Sequence, residues 1–92
     1  MGVLTFDHTI TSDGSTKSWN VPVSGNYMFY VVGDFGGGLL SMECSPDNDS
    51  NWFTVEQVGN PARLIRYLVS GETVRLTLTG ATSPNLTSGV RQ

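Results

Sequence analysis

The chain has 92 residues, a formal net charge of −3 and only 14% charged residues, so its surface must be largely neutral and rich in hydroxyl and amide groups. This length suits one domain with a modest core, and we expect residues 1–92 to form a single unit. Five scattered basic residues exclude the basic stripe of a nucleic-acid-binding protein, and no apolar run approaches the roughly 20 residues of a membrane helix.

Apolar and polar residues alternate along most of the chain, and turn-forming clusters interrupt the alternation at short intervals. This pattern predicts strands at residues 3–10, 16–21, 27–32, 38–44, 52–58, 62–69, 73–79 and, with less regularity, 86–91. We therefore predict an all-β fold, a compact antiparallel two-sheet sandwich of seven to eight short strands. A jelly-roll-like arrangement fits best, with an immunoglobulin-like sandwich and a small barrel as alternatives.

The first two predicted strands have clear apolar faces. In the first strand the predicted core face carries Leu4, Phe6, His8 and Ile10. Asp13 and Gly14 have the chemistry of a tight hairpin turn, which predicts that the next strand folds back on the first. In that second strand Trp19 and Val21 point inward, and Pro22 ends the strand or places it at a sheet edge.

Residues 27–32 form the most apolar stretch of the chain, and both of its faces are apolar. In an antiparallel sandwich one face of a strand usually meets water, so the second face needs a cover, either internal or from a partner. We expect an interface here, formed by Tyr27, Phe29, Tyr30, Phe35 and Trp52. The glycines at 33–38 lack the residues of a phosphate-binding loop and predict a flexible bend or a bulge between strands.

The later strands alternate in the same way. Residues 73–79 give the cleanest pattern, with Val74, Leu76 and Leu78 expected to point inward. In residues 52–58, Phe53 and Val55 share one face, opposite Trp52, Thr54 and Glu56.

Residues with catalytic or metal-binding chemistry are few. His8 is the single histidine, and Cys44, the single cysteine, falls on an apolar face where a buried, inert thiol is typical. Asp47, Asp49 and Asn51 have the spacing of a calcium loop but lack its later glycine and glutamate, so we expect them to form a turn. We predict no catalytic residue, metal or cofactor.

Aromatic side chains could instead stack on sugar rings, and the candidates are Trp19, Trp52, Tyr27, Tyr30 and Tyr67. In a domain this small most aromatic residues belong to the core. A glycan site is therefore the weaker of the two binding hypotheses.

The stretch 25–52 contains a Gly-Asp-Phe-Gly-Gly-Gly corner and a Ser-Pro-Asp…Trp turn. Together with the strand at 75–82, it resembles small virion proteins of tailed bacteriophages. The resemblance covers about two thirds of the chain, and Asn48 and Asp49 depart from it where a glycine is expected. It implies a non-enzymatic structural protein of the virion, such as a capsid decoration or cement protein, or a head-fibre protein.

The resemblance also implies partners and a location. We expect a homo-oligomer, most simply a trimer, that contacts the major capsid protein or another virion protein. The absence of a signal peptide pattern and the single cysteine fit synthesis and assembly in a bacterial cytoplasm. The alternative is a fibre or tail accessory module that binds a host receptor or glycan.

Overall fold

The computed structural model describes residues 5–47 and 50–92. Its strands are β1 (Thr5–Ile10), β2 (Gly14–Ser15), β3 (Trp19–Asn20), β4 (Gly25–Asp34), β5 (Leu39–Ser45), β6 (Phe53–Val58), β7 (Ala62–Leu68), β8 (Thr73–Thr79) and β9 (Asn85–Arg91). All pairings between these strands are antiparallel. Within the described residues no helix forms that could cross a membrane.

The strands form two sheets. Sheet A has the order β1-β9-β4-β7, and sheet B has the order β2-β8-β5-β6, with β3 also paired to β8. The short strands β2 and β3 thus occupy one edge position, which leaves four positions in each sheet. Most connections cross from one sheet to the other, as in a jelly roll. The predicted two-sheet sandwich is confirmed.

The core lies between the sheets because alternate residues of each strand point to opposite faces. Val74, Leu76 and Leu78 of β8 are fully buried, as predicted, while the intervening residues face outward. Val21 is also buried, and Trp19 packs against the core. The largest fully buried side chains of the core include Tyr27, Phe29, Leu40, Met42, Leu68 and Leu86.

The predicted hairpin at Asp13 and Gly14 is wrong. β1 pairs with β9 at the other end of the chain, and the segment after β1 crosses to sheet B, where β2 pairs with β8. Gly14 has a φ of 127°, and the Asp13 carboxylate accepts hydrogen bonds from the backbone N–H groups of Gly80 and Ala81 at 3.1 and 3.0 Å. The Asp-Gly pair therefore makes a corner between sheets, held to the loop before β9.

Strand β9 is also more regular than the sequence predicts. It lies in the middle of sheet A, between β1 and β4, and Leu86 and Val90 are fully buried. Ser88 and Gly89 obscure its pattern in the sequence, and both are buried. The Ser88 hydroxyl donates to the Tyr30 carbonyl at 2.7 Å, which makes a polar residue acceptable inside the sandwich.

Strand β6 departs from simple alternation. The register between β5 and β6 shifts at Met42 and Glu43, so β6 contains a bulge. After the bulge Glu56 lies opposite the buried Met42, whereas Phe53 remains 59% exposed at the sheet edge. Of the predicted strand at residues 16–21 only Trp19–Asn20 forms a strand, β3, and the short strand β2 precedes the predicted range.

The glycine-rich corner carries the chain from β4 in sheet A to β5 in sheet B. Gly36 has a φ of 58°, and a Cβ there would collide with the backbone of Thr82. The Gly36 carbonyl accepts from Thr82 N–H at 2.9 Å, and the Asp34 carboxylate accepts from Gly36 N–H at 2.9 Å. These bonds hold the bend in place, and Phe35 is buried within it, at 6% exposure.

Candidate interface

The outer face of sheet B is mainly polar, apart from the exposed Leu39, and several of its polar side chains bond to one another. The Glu43 carboxylate accepts from Arg75 Nε and from Thr77 Oγ1, both at 2.7 Å, and the Thr77 hydroxyl also bonds to Ser15 Oγ at 2.8 Å. Burial acts to raise the pKa of Glu43, but these hydrogen bonds outweigh it and leave the pKa below its ordinary value. The Arg75 guanidinium also lies 4.0 Å from the centre of the Trp52 ring.

The outer face of sheet A has a different character. Val32, Ile65 and Tyr67 are 52%, 54% and 64% exposed. The β4–β7 register places Met28 beside Ile65, and Met28 and Tyr30 are partly exposed. We call this surface the apolar outer face, and it consists of Met28, Tyr30, Val32, Ile65 and Tyr67.

A polar cluster borders the apolar outer face. Tyr30 Oη donates to Asp7 Oδ1 at 2.7 Å, reaching over Gly89, which lies between the two residues in the sheet register. Arg91 Nη2 donates to Asp7 Oδ2 at 3.1 Å. Burial acts to raise the pKa of Asp7, but the hydrogen bonds from Tyr30 and Arg91 lower it below the ordinary value. The cluster holds the Tyr30 ring against the sheet.

The five residues predicted to form an interface are divided by the fold. Tyr27, Phe29 and Phe35 lie in the core, with exposures of 1%, 0% and 6%. Tyr27 and Phe29 belong to the side of β4 that faces sheet B, and Phe35 is enclosed in the corner that follows β4. These three side chains are therefore not available to a partner. Tyr30 and Trp52 are partly exposed, and for these two an interface role stays a prediction.

The sequence did not point to Ile65 as an interface residue, and Tyr67 was named only as a glycan candidate, although these two contribute the most exposed part of this surface. The signal was weaker than in residues 27–32, since each face of β7 carries an arginine, Arg66 on one and Arg63 on the other. Leu64 and Leu68 face the interior, while Ile65 and Tyr67 face outward.

The residues with potential nucleophilic chemistry are not brought together. His8 packs edge-on against the Phe6 ring, with centroids 4.5 Å apart, and forms no hydrogen bond to another described side chain. Burial and nearby Lys17 lower the pKa of His8, with Asp7 opposing them. Cys44 is 4% exposed, and burial, with a contribution from Glu72, raises its pKa to about 12. His8 and Cys44 therefore do not form a nucleophile–base pair.

The expected turn at Asp47 is confirmed. Its carboxylate accepts from Ser45 Oγ and Asn51 N–H, both at 2.9 Å, and from Asn51 Nδ2 at 2.5 Å. Asp49 lies outside the described residues, and among those described no three potential metal ligands cluster. The Asp47 carboxylate therefore serves as an acceptor within its own turn.

A cavity of about 250 Å³ lies along residues 8–16. Its acidic lining residue, Asp13, already binds Gly80 and Ala81 through both carboxylate oxygens. The other lining side chains are mostly hydroxyls from a single segment of chain. The cavity therefore offers no converging charged groups to a ligand, and the apolar outer face is the stronger candidate site.

Comparison with known proteins supports the fold. No protein-family model matches the chain, and no curated protein matches it. One similar solved structure is a pentameric capsid protein isolated from metagenomic phage sequences, with a TM-score of 0.52 and 17% sequence identity. The match covers 96% of this chain but 64% of that one, so the present chain spans slightly less than two thirds of the phage protein's length. The likeness establishes that a phage capsid protein contains this type of β-sandwich.

Proposed function

We propose that this chain is a non-enzymatic structural protein of a bacteriophage particle, specifically a decoration or cement protein that binds between capsid subunits. The observation that carries the proposal is the contrast between the two outer faces. On its outer face sheet B pairs polar side chains with one another and exposes one large apolar side chain among the described residues, Leu39, whereas sheet A exposes Val32, Ile65 and Tyr67. The likeness to a phage capsid protein and the resemblance of residues 25–52 support the same role.

The apolar outer face is suited to docking on a protein surface. Contiguous exposed apolar side chains on a small protein commonly mark an interaction site. The partner's surface should be largely apolar, because the five residues of this face are uncharged, although the charged Arg63 lies beside Met28 at its border. The major capsid protein, or another virion protein, is the proposed partner.

The proposed mechanism is thermodynamic linkage. A protein that binds the assembled shell, but not its separated subunits, shifts the equilibrium toward the shell. At a free concentration 100 times the dissociation constant, each site would stabilise the assembled state by about 2.7 kcal/mol. Many equivalent sites on one shell would add their effects.

We further propose that the protein acts as a homo-oligomer. The virion-protein resemblance favours a trimer, while the similar solved structure is described as a pentamer. Sedimentation of the purified protein measures the number of copies directly.

Binding to particles tests the proposed function. Purified protein is mixed with phage particles that lack it, and bound protein is measured by co-sedimentation. We expect saturable binding and a higher temperature of shell disruption. Failure to bind, or binding without a gain in heat resistance, would contradict a cement role.

A receptor- or glycan-binding module of a fibre or tail is the second candidate. It is favoured by the partly exposed Trp52, although the Arg75 guanidinium lies against one face of this ring and leaves at most the other for a sugar. Under this alternative Trp52→Ala should abolish binding to a glycan array and leave particle binding intact. Under the cement proposal no glycan binding is expected from the parent protein.

A further inference from the structure

The edges of the two sheets differ in how well they are protected against pairing with another strand. In sheet B, the edge strand β6 contains a bulge, and the opposite edge is interrupted between Ser15 and Trp19 and followed by Pro22. Bulges, interruptions and proline are common devices that block pairing at an edge. Sheet B is therefore poorly suited to extension by another chain.

Both edges of sheet A are regular. β1 pairs with β9 over residues Thr5–Ile10, and β7 pairs with β4 over residues Ala62–Leu68, in each case without a register shift. Neither strand contains proline. Among the described strands, each has a neighbour on one side only, so each leaves one row of backbone groups available for pairing.

The directions and lengths of these two edges are compatible. Three successive antiparallel pairings separate β1 from β7, so β1 and β7 run in opposite directions within one chain. A second copy in the same orientation would therefore present its β1 antiparallel to β7 of the first. The strands contain six and seven residues, which allows pairing along nearly their full length.

Charge supports the same contact. Arg66, Arg75 and Arg91 each form a salt bridge, to Glu56, Glu43 and Asp7 respectively. By contrast, Arg63 on β7 forms no salt bridge with any described residue, and its Nε donates only to Met28 Sδ, at 3.1 Å.

The sheet register places Arg63 at one end of a row and Asp7 at the other, with Tyr30 and Gly89 between them. Continuing this row into a second copy brings Asp7 of that copy beside Arg63 of the first. Asp7 already binds Tyr30 and Arg91, but a carboxylate has about four acceptor positions and can accept a further donor.

We propose that copies of this chain associate edge to edge, with β7 of one copy paired to β1 of the next and Arg63 facing Asp7 across the contact. The inference rests on the proposed assembly role, which it deepens by naming a second copy as the partner at this edge. Such a head-to-tail contact joins different surfaces and generates a ring when its rotation closes. Because the contact continues sheet A from copy to copy, the apolar outer faces of all copies would share one surface of the assembly, where linked weak contacts with a partner reinforce each other.

A disulfide trap tests the contact. Arg63→Cys and Asp7→Cys variants are prepared separately, mixed and oxidised. Residues directly opposite in antiparallel strands have Cβ atoms about 4.5–5.5 Å apart, close to the range a disulfide spans. Within one copy the two positions are separated by three strand spacings, about 14 Å, so a bond between them joins two chains. We expect a 7–63 linked dimer from the mixture and none from either variant alone.

Matched controls make the result decisive. Thr54→Cys lies on the exposed edge strand of sheet B, and its mixture with Asp7→Cys should not cross-link. Arg63→Glu, without any added cysteine, would place two negative charges opposite each other. Its dissociation constant for self-association, measured by sedimentation, should be at least about tenfold higher than that of the parent protein. A parent protein that sediments as a monomer at all concentrations, or equal cross-linking at positions 54 and 63, would overturn the inference.

The same variants separate this inference from the proposed function. Linked chains that do not bind particles would leave the edge contact standing and reject the cement role. Monomers that bind particles and raise their heat resistance would support the cement role and reject the edge contact.

Discussion

Replacing the two most exposed side chains of the apolar outer face should separate binding from folding. The variant carries both Ile65→Ser and Tyr67→Ser, two neighbouring outward positions on β7. Because both side chains are more than half exposed in the free chain, their loss should change its stability by only about 0.5 kcal/mol in either direction. Their loss from a buried contact with the shell should cost much more.

The expected cost follows from the exposed fractions. Complete burial of an isoleucine contributes about 1.5–3 kcal/mol, and Ile65 has 54% of its surface left to bury, or about 1–1.5 kcal/mol. Burying the exposed 64% of Tyr67 removes roughly 100–160 Å² from water, or about 3 kcal/mol. Since interfaces realise only part of this gain, we expect a loss of about 2–4 kcal/mol, or roughly 30- to 900-fold in the dissociation constant.

Co-sedimentation with particles that lack the protein measures the dissociation constant, and thermal unfolding of the free variant measures its stability. Phe53→Ser is the matched control, because Phe53 is 59% exposed but lies on β6 at the edge of sheet B. We expect the control to bind as the parent does. Equal binding by the parent and the double variant, with both folded, would refute the assignment of this face as the docking surface.

Three further predictions concern the fold. Gly36→Ala should lower the free energy of unfolding by about 1–3 kcal/mol in urea, because φ at Gly36 is 58° and the added Cβ meets the Thr82 backbone. Gly37→Ala is the control and should cost less, because the space around Gly37 is open. Equal losses in the two variants would contradict this explanation. Because folding lowers the pKa of Asp7, its stabilising contribution is present above the ordinary pKa of 3.8 and is lost as the pH falls below that value. The urea midpoint of Asp7→Asn should therefore decline less in acid than the midpoint of the parent protein. Midpoints that decline in parallel with pH would contradict this role of Asp7. Cys44 should resist a thiol reagent at pH 8 until the protein unfolds, because burial raises its pKa to about 12; rapid labelling of the folded protein would show that this thiol is accessible.

Residue types and spacing were sufficient to identify the strands and most of their inward faces. β8 shows why, since its alternation of Val74, Leu76 and Leu78 with polar residues already contains the information about which side faces the core. β6 shows the limit of this reasoning. Its bulge is defined by a mismatch with β5, and a mismatch between two strands cannot be read from either strand alone.

The candidate interface was only partly predictable for a related reason. The sequence indicated that residues 27–32 have two apolar faces, but not which face sheet B would cover. Tyr27 and Phe29 are larger and more aromatic than Met28 and Val32, yet they are the side chains that the fold encloses. Exposure is decided by the opposing sheet, and that sheet is built from residues distant in the chain.

The spacing of apolar residues was enough to predict the all-β class, the two-layer sandwich and the inward residues of the regular strands, because the period of two along a strand is a local property. Three features became clear from the folded chain alone: β1 pairs with β9, Asp13 and Gly14 turn between sheets, and β9 lies in the middle of sheet A. These pairings join residues up to 86 positions apart, such as Thr5 and Arg91. Their choice depends on how all the strands bury their apolar faces together, which no single stretch of sequence specifies.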